Sequence, residues 1–391
     1  MIKAMTVKRN FAWEFEQSIS FRKYRMRSWL RCVTILAGIF ILGSSCSRQA
    51  ITTGFDPSNL IQLGDSVHYG SYNIYKIGAD IYKINDPGDP EAILGGLIGT
   101  DIYLICGESK ALMIDLGNNY IDGYEKDLIK PRKNAKEEFL DVVNKLIGKR
   151  QLEVAVSHMH PDHSGMTKAF IDTRVPLWIG EGEDMERLKT MHGIDPSIYR
   201  IFKHGENTFD LGGGRTVETF MFRGHSNGGT VFLLKPDMML FTGDAISPGP
   251  RRKRELRSAE AFNNFNIDIN NLVNNLKDNL PPYDRYRLQV YTGHSGEMMF
   301  HNTKTDAADT LPEDAGYGEW RFIQDMANVA NAIKDGTWLD ATRGFYHFEV
   351  PSGMNNQKQI QIVFYNGALI LPEDVAYSVS GMKVPEIPKS K

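Results

Sequence analysis

The chain has 391 residues, 41% of them hydrophobic and 24% charged, and a formal net charge of -3. That composition allows a sizeable buried core and excludes a disordered or low-complexity chain. Eight basic residues fall within 1–45 against only Glu14 and Glu16, so the remainder is acidic and lacks the basic footprint of a nucleic-acid binder.

The N-terminus explains the asymmetry. Basic residues from Arg22 to Arg31 precede the apolar run Val33–Leu42 and the small residues Gly43-Ser44-Ser45. The run is shorter than the roughly 20 residues a membrane span requires, and its order is that of a secretory signal. Cys46 follows at the position of a lipid-bearing cysteine, although Gly43 stands where leucine is usual. Residues 1–46 thus read as a signal segment of lipoprotein type, 47–65 as a polar tether and 66–391 as one domain. Export to the periplasm or cell surface of a bacterium is expected, with a lipid anchor at Cys46. With Cys32 and Cys46 in the leader, Cys106 is left without a disulfide partner; its alternation with Ile102 and Leu104 makes it a core residue.

Along the body, aromatic and β-branched residues alternate with polar ones from Tyr69 to Ile84, predicting strands. Ile102–Ile105 and Ala111–Ile114 read as a hairpin that ends in Asp115-Leu116-Gly117. Phe139, Val142, Val143, Leu146 and Ile147 share one helical face, and the strand Leu152–Val156 follows. The rhythm then recurs: strand at Val175–Ile179, helix at Glu181–Met191, strands at Val217–Phe222, Val231–Leu234 and Met238–Phe241, helix at Ile267–Leu280, strand at Leu288–Tyr291. Trp320, Ile323, Met326, Val329 and Ile333 mark a last helix that Gly336 can cap, before a hairpin of Gly344–Val350 and Gln359–Phe364. The mixture predicts an α/β protein whose sheets are covered by helices.

Immediately after the strand Leu152–Val156 stands Ser157-His158-Met159-His160-Pro161-Asp162-His163. Extended backbone puts His158 and His160 on one side, so two imidazoles can share one ion, while Asp162 and His163 follow a proline turn and can reach a second. Three later strand ends carry one ligand-type residue beside glycine: Gly224-His225, Gly243-Asp244 and Gly293-His294. Each alone reads as a turn. Together with the first motif they place ligands where open α/β sheets collect their sites. The remaining histidines, His68, His192, His204, His301 and His347, read as surface or hydrogen-bonded groups.

This ordered set resembles the metallo-β-lactamase superfamily over roughly Asp101 to Ser295. The resemblance implies a four-layer αβ/βα sandwich and a site for two divalent ions, zinc by default with iron or manganese as alternatives. It implies that His158, His160 and His225 hold the first ion, that Asp162, His163 and His294 hold the second, and that Asp244 bridges them. Asp162 and Asp244 are the carboxylates expected to serve catalysis, and Asp115 resembles the family's structural Asp-x-Gly turn. Two such ions lower the pKa of a shared water to about 7. The aspartate at 244 is similar to that of glyoxalase II and the lactonases, which implies hydrolysis of an ester, thioester or lactone. A phosphodiesterase or nuclease, a true β-lactamase and a non-catalytic surface binding lipoprotein are the alternatives. The substrate is expected to be a small molecule. The run Arg251-Arg252-Lys253-Arg254 after Asp244 reads as a solvated loop, with an anion-binding rim as the second reading.

Overall fold

A computed structural model describes residues 54–86, 99–117, 133–203, 208–246, 253–294, 318–350, 358–365 and 367–383. Gly54–Lys391 forms one compact unit. The expected leader, its cysteine and the first part of the tether lie outside the described residues. The rest of the tether packs: Phe55 and Leu60 are buried, and the Phe55 amide donates to Asp141 Oδ2 at 2.9 Å. Ordered packing therefore starts ahead of the boundary expected at residue 66.

The first sheet runs in sequence order: β1 (Ser66–Tyr69), β2 (Tyr72–Gly78), β3 (Ile81–Asp86), β4 (Thr100–Cys106), β5 (Lys110–Ile114), β6 (Gln151–Val156), β7 (Leu177–Gly180) and β8 (Tyr199–Phe202). β1 to β5 form an antiparallel meander, and β5 to β8 are parallel. Helix α1 (Ala135–Ile147) makes the crossover from β5 to β6. It stops where Gly148 takes φ 61°, a conformation that favours glycine. Short α2 (Pro161–Ser164) and α3 (Met185–His192) follow β6 and β7.

The second sheet holds β9 (Thr208–Asp210), β10 (Thr216–Met221), β11 (Thr230–Leu234) and β12 (Met239–Gly243), each antiparallel to the one before it. Next in the chain come β13 (Lys253–Glu255), α4 (Ala259–Asn279), α5 (Pro282–Tyr286) and β14 (Gln289–Thr292), which joins this sheet parallel to β12. Ser258 caps α4 by accepting the Ala261 amide. After α6 (Gly318–Lys334), strands β15 (Phe345–Val350), β16 (Gln359–Phe364) and β17 (Gly367–Pro372) build a third sheet in the order β13-β17-β16-β15, followed by α7 (Glu373–Val379).

Strand alternation decides the layers. Leu112 and Ile114 face Phe232, Leu234 and Phe241 across the space between the first two sheets. Ala111 and Met113 point the other way, onto Phe139, Val142 and Leu146 of α1. In the second sheet Val231, Leu233 and Leu240 point outward onto Phe262, Phe265 and Ile269 of α4 and Ile323 and Met326 of α6. The result is the expected four-layer sandwich of helix, sheet, sheet and helix. The third sheet adds Ile360, Ile362, Leu369 and Leu371 to the same outer core, beyond what the hairpin alone predicted. Fully burying each such side chain contributes about 1.5–3 kcal/mol before entropy is counted.

This architecture brings the carboxyl ends of β6, β10, β12 and β14 to one rim. The rim is stitched by Thr230 N–H to Ser157 O at 2.9 Å, Gly293 N–H to Gly243 O at 2.9 Å and Asp101 N–H to Gly293 O at 2.8 Å.

Candidate metal centre

His158 and His160 leave the end of β6, and His225 lies in the loop after β10. Their ring nitrogens converge: His158 Nε2 to His160 Nδ1 is 2.9 Å, His225 Nε2 to His160 Nδ1 2.8 Å, and His225 Nε2 to His158 Nε2 3.2 Å. A ring nitrogen offers one in-plane direction and cannot hydrogen-bond to two neighbours at once. Three ring nitrogens converging on one point instead suit an ion with bonds of about 2.0–2.1 Å. The three residues form one potential ligand group.

Asp162, His163 and His294 form another. Asp162 Oδ2 is 3.6 Å from both His163 Nε2 and His294 Nε2. Asp244 sits between the two groups. Its Oδ1 lies 3.1 Å from His294 Nε2 and 3.3 Å from His163 Nε2, while Oδ2 lies 3.3 Å from His225 Nε2. One carboxylate thus presents an oxygen to each triad. His163 Nε2 and Asp244 Oδ1 are buried without a hydrogen-bond partner, which a cation between them would correct. The mixed nitrogen and oxygen donor set fits divalent zinc, iron or manganese.

Supporting groups orient these ligands. Asp115, at φ 65° after β5, accepts Ser157 N–H at 2.6 Å through Oδ1, and Ser157 Oγ–H and His163 Nδ1–H at 2.9 Å through Oδ2. His294 Nδ1 donates to Gly99 O at 2.9 Å. Both bonds put the proton on Nδ1 and leave Nε2 as the ligand atom. Gly243, at φ 48°, is obligatory: a Cβ there would fall 2.4 Å from Ser157 Oγ.

Electrostatics follow the same division. Burial holds His158 well below its ordinary range, aided by His163 and His160, so the ring keeps a free lone pair. Burial also opposes charge on His163 and His294, but the carboxylates prevail. Asp162, Asp244 and Asp115 hold His163 well above its usual value, and Asp244 pushes His294 up to about 10. Against its own burial, Asp244 is held well below the carboxylate range by His294 and His163. The carboxylates concentrate a demand for positive charge where the second triad converges, and a divalent cation meets it.

All seven residues singled out in the sequence come together here. Arg254 does something the sequence did not foretell. Rather than lying on a solvated loop, it is half-buried on β13, which pairs with β17. Its Nη1 donates to the main-chain carbonyl of Asp244 and its Nη2 meets His225 Nδ1. The basic run directly after Asp244 was the signal; its register against a distant strand was not visible. Arg251 and Arg252 lie outside the described residues.

A family model described as the Metallo-beta-lactamase superfamily matches residues 95–315. Among solved structures, a metallo-beta-lactamase from Pontibacter korlensis is 16% identical and matches 57% of this chain and 91% of its own, with a TM-score of 0.41. A beta-lactamase domain protein from Burkholderia ambifaria is 16% identical over 60% of this chain and 72% of its own, at 0.41. A metallo-beta-lactamase from Erythrobacter litoralis is 13% identical over 68% and 99%, at 0.39. No curated protein matches the sequence. With the family match spanning more than half of the chain and enclosing every ligand of the centre, this protein belongs to the metallo-beta-lactamase superfamily of metal-dependent hydrolases.

Proposed function

We propose that the protein is a dinuclear hydrolase of a small ester, thioester or lactone, with zinc as its metal. The observation that carries this reading is Asp244, whose two oxygens face different triads at 3.1–3.3 Å. When bound, two such ions supply Lewis acidity for the attacked oxygen and a water with a pKa near 7.

The chain's own contribution is orientation. Asp115 and Gly99 hold His163 and His294 with Nε2 inward, and Asp162 completes the second triad. No side-chain nucleophile is required. Ser157 Oγ is engaged with Asp115 and lies 3.1 Å from His158 Nδ1, which suits an orienting role. The Arg254 guanidinium, held against the Asp244 main-chain carbonyl and the His225 ring, sets a cation beside the centre and supports an anionic group on the substrate. The leader and Cys46 support export and lipid attachment, which mass spectrometry of the mature N-terminus would test.

Metal analysis of the purified protein, coupled to a panel of thioester, lactone, aryl ester, phosphodiester and β-lactam substrates, tests the function. Two ions per chain with turnover of an ester-class substrate is the expected result. Turnover confined to the phosphodiester or β-lactam, or a metal-free protein inert to all, would overturn it.

A further inference from the structure

The loop that delivers His225 is held by helix α4 rather than by its own strand alone. Asp268 on α4, only 3% exposed, accepts three hydrogen bonds from Arg223: the backbone N–H at 2.8 Å, Nε at 3.0 Å and Nη2 at 2.8 Å. The backbone bond sets where the chain leaves β10, and the bidentate fork adds charge-assisted strength and fixed geometry. Gly224 then lies flat on Phe265, one turn earlier in α4; a Cβ at Gly224 would fall 2.8 Å from Phe265 Cβ and Cδ2. Phe222 meets the same ring edge-on, with centroids 5.3 Å apart. Residues 222–224 are thus moulded on one helix face, and His225 emerges from that template with Nε2 2.8 and 3.2 Å from its partners.

We propose that Asp268 is a positioning residue for the first metal, acting through Arg223 on His225. An ion pair needed only to dock α4 would not engage the Arg223 amide, and Phe262, Phe265, Ile269 and Leu272 already bury that helix face. The proposal rests on the dinuclear reading above, so its test separates the two ions.

The full chain, stripped of metal, is titrated with Co²⁺ and followed by visible absorption and equilibrium dialysis, comparing wild type with D268N, D268A and R223K. The expected result is a selective loss: the ion held by His158, His160 and His225 binds on the order of 10–100-fold more weakly with an altered spectrum, while the other keeps wild-type affinity. R223K, which retains the charge but not the fork, should fall between wild type and D268A. Equal weakening of both ions, or wild-type titration in every variant, would overturn the proposal. Should D268A fail to fold, D268N and R223K decide the matter. A wild-type chain that takes up no Co²⁺ would overturn this proposal and the dinuclear reading together; two normal ions in wild type and variants alike would remove only this one.

Discussion

Asp115→Asn removes one charge from the centre without removing a ligand, and the structure dictates where the damage falls. Asp115 is 1% exposed; its Oδ1 accepts Ser157 N–H at 2.6 Å, and its Oδ2 accepts Ser157 Oγ–H and His163 Nδ1–H at 2.9 Å. An amide cannot copy this pattern. With NH2 at the Oδ1 position, two donors face each other across the shortest of these contacts. With NH2 at the Oδ2 position, the Ser157 hydroxyl can turn to accept, but His163 must accept at Nδ1 and carry its proton on Nε2. That nitrogen lies 3.3 Å from Asp244 Oδ1 and 3.6 Å from Asp162 Oδ2, where the second ion is to bind. The expected loss in affinity for that ion is on the order of 10–100-fold, or about 1.4–2.8 kcal/mol. The disturbed buried hydrogen bonds cost about 1–3 kcal/mol of stability. Zinc content after equilibrium dialysis should fall from two ions toward one, and urea unfolding of the metal-free protein should show the loss of about 1–3 kcal/mol in stability. Two ions held by D115N at wild-type affinity would refute the claim that Asp115 sets the His163 tautomer.

Asp162→Ala and His163→Ala should each cost the second metal and most turnover while circular dichroism stays near wild type; unchanged activity in both would count against the dinuclear site. Gly293→Ala should be worse than its size suggests, because a Cβ there falls 2.4 Å from His163 Cε1 and 2.9 Å from Asp244 Oδ1; metal analysis should find the second ion depleted. In the metal-free protein the proton on His294 is held more tightly folded than unfolded. The stability it contributes is therefore complete below about 6.5 and is lost as pH rises toward about 10. The Tm of stripped protein should decline across that window and that of zinc-loaded protein should not; a flat profile for the stripped form would contradict the charge demand described for the site. The Cys106 thiol, pushed up to about 12 by burial, should resist a thiol reagent at pH 8 until the chain is unfolded.

Much of the centre was legible because its information is local. His158, His160, Asp162 and His163 occupy one short segment, and unbroken apolar runs such as Val231 to Leu234 announce the buried strands that carry the rest. The helix stripes of α1, α4 and α6 were readable for the same reason, since a 3.6-residue repeat needs no distant partner. Short elements were not. β8, β9 and β17 are too brief or too irregular to show a period, and β13 becomes a strand only because Lys253–Glu255 finds Ala368–Ile370 beside it.

What the chain alone determined, then, is the chemistry on offer: five imidazoles and two carboxylates, each set just past a strand that its own side chains specify. Tertiary structure decided which atoms serve. The pairing of β12 with β14 put Asp244 beside His294, Asp115 chose the protonated nitrogen of His163, and β13 carried Arg254 onto the main-chain carbonyl of Asp244. Periodicity is written in neighbouring residues, whereas sheet register and the hydrogen-bond partner of a buried ring arise only when segments distant in sequence compete for the same space.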